Sequence, residues 1–506
     1  VARQTIEQRI RRVWSDCEKS TKVDIRARWE KIKENLPDEA YKIEQAIGPM
    51  PEATLDDVPH DVAIRYAARD ADATLRVAGV LWPTLLSMGL ERAYRMDMAV
   101  IPMFERMQAN GMLVNPNHFY DLYDEMTLDM EKKVEEIDSQ YHCGADFNPN
   151  SPDQVAWFLF DKLRLKSTKK TPTGKRCTND KVLEALRRSH PAVPMIIDYR
   201  EFGTMRDDFC KKMPRMVSDD GRIHGQFKVT RVSSGRLSMS EPNLLGIPVR
   251  TDLGKRIREG FITKPGYVLG SWDLDQIEMR EMAHQSQDET MIKIFKEGKV
   301  DIHRQTAAWT FGIKPEDVTT IQRYAAKRIG FGVITGITEV GLADQMAMAG
   351  ADGWGTDRCA EAIREWFKIY REVPSYMEGC RAEVRRHGFA TDRWGRIRYL
   401  PGVYSDIPSV KAEAERQSHS FKISASAQGI LKQGMAAIWE WLGEENLWGK
   451  VEPLLQIHDE LIFEVQDGYQ EMAGPMIHDM MCHTTPLDVP IKSKYSFGQN
   501  WGLLKD

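Results

Sequence analysis

The 506-residue sequence predicts an α+β chain of several domains, on three observations. A chain of this length is too long for one hydrophobic core and divides into domains that each bury their own. A strand-like run, Tyr267 to Trp272, feeds Asp273, and an alternating hairpin, Leu454 to Val465, turns at His458 and Asp459, so each aspartate is expected at a sheet edge. Helical periodicity dominates two long stretches, about 87–218 and about 301–404.

In the first helical stretch, Leu122, Met126, Met130, Val134 and Ile137 are spaced to share one face of a long helix. A loop from Lys166 to Arg176 joins turn residues to clustered charge, including Lys169, Lys170 and Lys175. Such a loop suits a phosphate backbone, although charge runs are more often simply solvated. Residues 219–300 and 405–506 read as mixed strand and helix forming one sheet that carries both aspartates, with the helical 301–404 inserted between them. No Gly-Lys pair is followed by Ser or Thr, so a Walker phosphate loop is excluded.

The hydrophobic fraction of 42% and charged fraction of 29% are ordinary for globular chains, and no apolar run approaches the roughly 18 residues of a membrane span. A net charge of −5 decides nothing about nucleic acid, because cations that touch phosphate are clustered locally. The seven cysteines, Cys17, Cys143, Cys177, Cys210, Cys359, Cys380 and Cys482, lack paired zinc-ligand spacing and are expected as free thiols in a reducing cytoplasm. The chain opens on Val1 without a signal-peptide core, as a fragment of a longer polypeptide would.

Asp273 and Asp459 are the candidate centre. Two carboxylates brought together can hold a pair of divalent ions, which at roughly 3.5–4 Å apart stabilise the attacking and leaving oxygens of an in-line phosphoryl displacement. Nucleotidyl transfer is therefore the leading chemistry. Arg323, Lys327 and Phe331 are spaced by four, so each advances only about 40° around a helix and the three share a face, two cations lined up along one triphosphate.

Taken in order, Ser234 to Ser238, Glu241 to Arg250, Ser271 to Arg280, Arg323 to Gly336, Ala414 to Gln417, Leu455 to Leu461 and Leu487 to Pro490 resemble the motifs of A-family DNA polymerases, the bacterial DNA polymerase I type. The resemblance covers roughly the whole chain after the first eighty residues. It implies a right-hand polymerase with a thumb at 87–218, a palm at 219–300 and 405–506, and fingers at 301–404. Residues 1–86 would be the remnant of a truncated 3′–5′ exonuclease domain. Tyr66 to Asp72 resembles that domain's last motif, whereas Asp16-Cys17-Glu18 lies too near Asp70 to complete it, so proofreading is expected to be absent. A solvated helix face accounts for Asp70 and Asp72 equally well.

The activity so implied is template-directed addition of deoxynucleotides to a primer 3′ end, with pyrophosphate released. Asp273, Asp459 and the Leu274 carbonyl would hold two Mg2+ ions, with Mn2+ able to substitute. Arg323 and Lys327 would meet the triphosphate, with Lys327 also the proton donor to pyrophosphate, on a helix that closes over the correct nucleotide. Gln276, His303 and Phe331 would complete the nucleotide site, and Glu278 would be the steric gate against a ribose 2′-hydroxyl. Phe331, where some members carry tyrosine, implies discrimination against dideoxynucleotides. Arg236, Thr335, Arg416, Gln456 and His458 would contact DNA near the primer terminus and nascent pair, and Lys169, Lys170 and Lys175 the duplex backbone. Glu460, pointing away if the strand alternates, is expected to be an auxiliary electrostatic residue.

The implied partners are primer-template DNA and deoxynucleotides, with no membrane role, a monomeric state and a cytoplasmic setting in a bacterium or an infected cell. The pattern breaks at Thr335, Ser420 and Ser424, where the family usually has tyrosine, asparagine and glutamine. These changes are expected near the templating base, where they would loosen minor-groove checking, and they suggest a divergent, phage-type member. Tolerance of a modified base such as diaminopurine is a low-ranking extension. Two other readings are a single-subunit RNA polymerase, which Glu278 argues against, and a retired DNA-binding scaffold, which would have no need of both aspartates with Arg323 and Lys327.

Overall fold

In the computed structural model the described residues are 60–144, 146–167, 169–248, 251–348, 351 and 353–504. The chain forms two compact units, Val1–Leu90 and Glu91–Asp506. In the first, helix α1 (His60–Ser87) carries Asp70 and Asp72 on its exposed surface, Asp72 paired with Arg76 at 2.9 Å. Asp16, Cys17, Glu18 and Arg250 lie outside the described residues.

The second unit begins with helices α2 (Glu91–Asn110), α3 (Pro116–Tyr141) and α4 (Ala192–Met205). Asn115 caps α3 through its side chain and Pro116 opens it with a pre-set φ. Leu122, Met126, Met130 and Ile137 are buried along one face, as their spacing predicts, with Val134 half-buried. The first half of that face belongs to the core around the central sheet, and Ile137 to a separate helical core with Phe158, Leu183 and Ile196.

A four-stranded antiparallel sheet is built from β1 (Tyr267–Leu274), β2 (Val451–Ile457), β3 (Glu460–Gln466) and β4 (Ser493–Gly498), in the order β4-β1-β3-β2. β1 is flanked on both sides and buried continuously from Val268 to Trp272, which is why it reads as an apolar run. Gly270 is needed there because a Cβ would lie 2.6 Å from the Trp272 ring. The sequence reading requires a correction here: the strand continues through Asp273 to Leu274, and Asp273 sits at the end of a central strand, not at a sheet edge. Pairing on both sides, with Glu460 and with Lys494, extends it.

Between and after these strands come α5 (Ile277–Ser286), α6 (Ile302–Phe311), α7 (Thr320–Thr335), α8 (Val373–His387), the 37-residue α9 (Pro408–Glu444) and α10 (Gln470–His483). Helices α9 and α10 bury Ile430, Met435 and Ile477 with Trp272 and Phe463 in the sheet's core. Met279 and Met282 of α5 join Ile329, Val333, Trp366 and Tyr370 in a second core, so α5 bridges the sheet and the helical insertion.

The loop ending at Arg176 folds back on itself through a Lys170–Arg176 bridge. Its charge is less available than the run of cations suggests, because Lys175 pairs with Asp153 at 2.8 Å and Arg176 with Asp161 at 2.5 Å; Lys169 and Lys170 are exposed. Six described cysteines carry free thiols, and among the described residues no helix is long and apolar enough to cross a membrane.

Candidate active site

The end of β1 and the β2–β3 turn meet at the floor of a cleft of about 920 Å³. The turn holds only His458 and Asp459, and His458 adopts φ 53°, a left-handed conformation uncommon outside glycine. Its carbonyl accepts from Gln428 Nε2 at 3.1 Å and Gln456 Nε2 at 2.6 Å, while Leu274 N–H donates to the Asp459 carbonyl at 3.1 Å. These bonds lash the two strand ends together, so Asp273, Leu274 and Asp459 all line one space. Gln276, just beyond β1, is likewise left-handed at φ 55° and turns the chain directly into α5. Strained backbone on both sides of the aspartates is the kind that persists where surrounding structure over-determines it.

α7 forms the facing wall. A capping box starts it, Gln322 N–H donating to Thr319 Oγ1 and Thr319 N–H to Gln322 Oε1, and Gly336 at φ 75° ends it. Arg323, Lys327 and Phe331 project from one face into the cleft, as four-residue spacing requires. Asp301, at the N-cap of α6, holds Arg323 through Nε and Nη2, each at 3.1 Å, and also accepts from Gln276 Nε2 at 3.1 Å. Burial opposes its charge, yet the Arg304 amide, His303 and Arg323 keep its carboxyl below the usual range. His303 packs 5.6 Å from the Phe331 ring. Burial, reinforced by Lys327 and Arg323 against the pull of Asp301, lowers its imidazole to about 4, so it is neutral at pH 7.

Glu278 on α5 accepts from Arg236 at 2.5 Å and from Ser424 Oγ at 2.8 Å. Ser424 therefore lies against Glu278, behind the cleft lining. Three buried atoms in this region, Arg236 Nε, Gln276 Oε1 and His303 Nε2, have no hydrogen-bond partner among the described residues, a polar set suited to a polar ligand.

The cleft thus gathers Asp273, Leu274, Asp459, Gln276, Glu278, His303, Arg323, Lys327, Phe331, Arg236 and His458. Other expected site residues lie elsewhere. Gln456, expected to contact DNA, is 2% exposed and braces the His458 carbonyl from beneath the cleft. Arg416 pairs with Glu413 at 2.5 Å and packs beside Gly336, and Thr335 is exposed at the end of α7 with its hydroxyl on the Phe331 and Gly332 carbonyls. Glu460 is buried and accepts from Ser271 Oγ, outside the cleft lining, in keeping with strand alternation.

Sequence reasoning passed over Asp301, Gln428 and Lys494, all of which line the cleft. Lys494 is the register partner of Asp273 across β4. For Asp301 a signal was present, an aspartate immediately before a helical run, the mark of an N-cap.

Among the described residues no three His, Cys, Asp or Glu side chains cluster for a metal ion. Two aspartates and a carbonyl form a hard, incomplete oxygen set. This fits Mg2+, which keeps waters and substrate phosphates in its shell, better than an ion that needs a full protein cage.

The model of "DNA polymerase family A" matches residues 119–503. DNA polymerase I, thermostable, of Thermus thermophilus is 35% identical over 461 residues, covering 88% of this chain and 54% of that protein. DNA polymerase I of Pseudomonas aeruginosa is 35% identical, covering 88% and 48%. The chain therefore spans about half the length of these curated relatives. Among solved structures, the POL domain of Pol1 from M. smegmatis, in complex with DNA primer-template and dNTP, aligns with a TM-score of 0.79 and 31% identity, over 90% of this chain and 80% of that one. With its cleft, its motif order and these likenesses in agreement, the chain belongs to DNA polymerase family A.

Proposed function

We propose that this chain is a template-directed DNA polymerase that adds deoxynucleotides to a primer 3′ end and releases pyrophosphate. The observation that carries this reading is the opposition, across one cleft, of Asp273 and Asp459 to Arg323 and Lys327. Carboxylates from the sheet and cations from α7 lining one space match a reaction in which metal-held oxygens and a triphosphate meet.

Asp273, Asp459 and the Leu274 carbonyl would hold the divalent ions. When bound, such a pair lowers the pKa of the primer hydroxyl and offsets charge on the phosphates. The protein's own residues then supply position. Arg323, kept in position by Asp301, meets the triphosphate oxygens, neutral His303 donates a hydrogen bond without adding charge, and Lys327 protonates the leaving pyrophosphate. Phe331 covers the nucleotide, and Glu278 occupies the space that a ribose 2′-hydroxyl needs. Primer-template DNA and deoxynucleotides are the partners, approached through Arg236 and His458 in the cleft and through exposed Lys169 and Lys170. Asp70 and Asp72, on the exposed surface of α1, have no proofreading role in this reading.

Extension of a recessed primer tests it. Incorporation of deoxynucleotides that requires both template and Mg2+ is expected, and DNA binding without any incorporation would reject the reading in favour of a non-catalytic scaffold.

A further inference from the structure

We propose that Ser424 is a positioning residue for sugar selection, its hydroxyl holding the cleft-lining Glu278 carboxylate in place from behind. The inference rests on the reading of Glu278 as the group that excludes a ribose 2′-hydroxyl. Ser424 Oγ donates to Glu278 Oε1 at 2.8 Å, and Arg236 Nη2 donates to the same oxygen at 2.5 Å. Hydrogen bonds to a carboxylate are stronger than neutral ones, and two on one oxygen restrict both where the group sits and how it turns.

The two donors differ in permanence. Ser424 is 7% exposed, in the interior of the long helix α9, between the buried Ile423 and Ala425. The Arg236 side chain is 42% exposed, follows Gly235 on a loop, and has a second, buried nitrogen without a partner among the described residues. Duplex DNA offers that guanidinium base-edge acceptors with which the carboxylate must compete. Ser424, far less exposed and anchored in the interior of α9, is the fixed half of the clamp. Thr335 cannot take its place, because its hydroxyl is committed to the carbonyls of Phe331 and Gly332 in its own helix. A carboxylate released from Ser424 is free to swing, and a gate that swings excludes less.

The test is single-nucleotide incorporation opposite a template guanine, with kcat and KM measured for dCTP and CTP in the wild type, Ser424→Ala, Ser424→Thr and Glu278→Ala. Alanine suits a helix interior, so the fold is expected to survive the first substitution. Ser424→Ala is expected to lower the dCTP/CTP ratio of kcat/KM about tenfold, chiefly through a lower KM for CTP. Ser424→Thr, which keeps the hydroxyl, is expected to retain the wild-type ratio. An unchanged ratio in Ser424→Ala beside a reduced one in Glu278→Ala would overturn the role of Ser424 and leave the gate standing. Equal losses with both nucleotides in Ser424→Ala would also overturn it, as the mark of a merely structural residue. An unchanged ratio in Glu278→Ala would overturn the gate itself, and this inference with it.

Discussion

Asp301 shows how one side chain serves two ends. Its carboxylate caps α6 by accepting the Arg304 N–H at 2.9 Å and also grips Arg323, the cation nearest the start of α7. Asp301→Ala is expected to lose the cap, at about 1 kcal/mol in denaturant unfolding. Asp301→Asn retains a capping oxygen, so its midpoint should stay near wild type while the KM for deoxynucleotides rises as Arg323 loses its tether. Both are read by unfolding curves beside steady-state incorporation. His419 makes a pH prediction. Burial, aided by Arg381, pushes its pKa down to about 4 from 6.5. The unfolded chain therefore binds this proton first, and the associated stability is full above about pH 6.5 and lost as pH falls toward 4. From pH 7 to pH 5 the unfolding free energy, measured by denaturant titration, should fall less in His419→Gln than in the wild type, by about 2 kcal/mol. The aspartates, Arg323 and Lys327 were legible in the sequence because spacing and motif order mark them. Gln428 and Lys494 were not, because each enters the cleft through a partner far away in sequence, and for Asp301 only the N-cap was legible, not its grip on Arg323.

At the scale of elements, α7 and the β2–β3 hairpin were readable from local rules. A capping box, a terminal glycine and four-residue spacing fix the helix, and two strand-forming runs joined by a two-residue turn fix the hairpin. The place of β1 in the middle of the sheet was not readable, since an apolar run does not reveal how many neighbours pair with it. The half-paired basic loop was also missed, because Asp153 and Asp161 lie upstream of it in sequence and only the fold brings them close. Helix α9 carries a prediction of its own. Replacing a mid-helix glycine usually stabilises, yet a Cβ at Gly429 would collide with the Trp394 indole, whose N–H donates to the Ser426 carbonyl at 2.9 Å. Gly429→Ala is expected to lower stability by about 1–3 kcal/mol, measured by denaturant unfolding.

At the scale of the whole molecule, the sheet core, the helical insertion and the strained turns converge on one cleft. Core packing holds the aspartates on rigid strands, whereas Arg323 and Lys327 sit on a helix whose cleft-facing side chains are only partly buried. In the proposed function, Asp273 and Asp459 act with α7 as a single nucleotidyl-transfer site. The most direct test is rapid-quench incorporation of one deoxynucleotide by the wild type and Asp459→Asn, with primer-template affinity measured in parallel. Near-wild-type DNA binding and a loss of incorporation of at least about a thousandfold are expected in the variant. Incorporation within tenfold of wild type would contradict the proposed function.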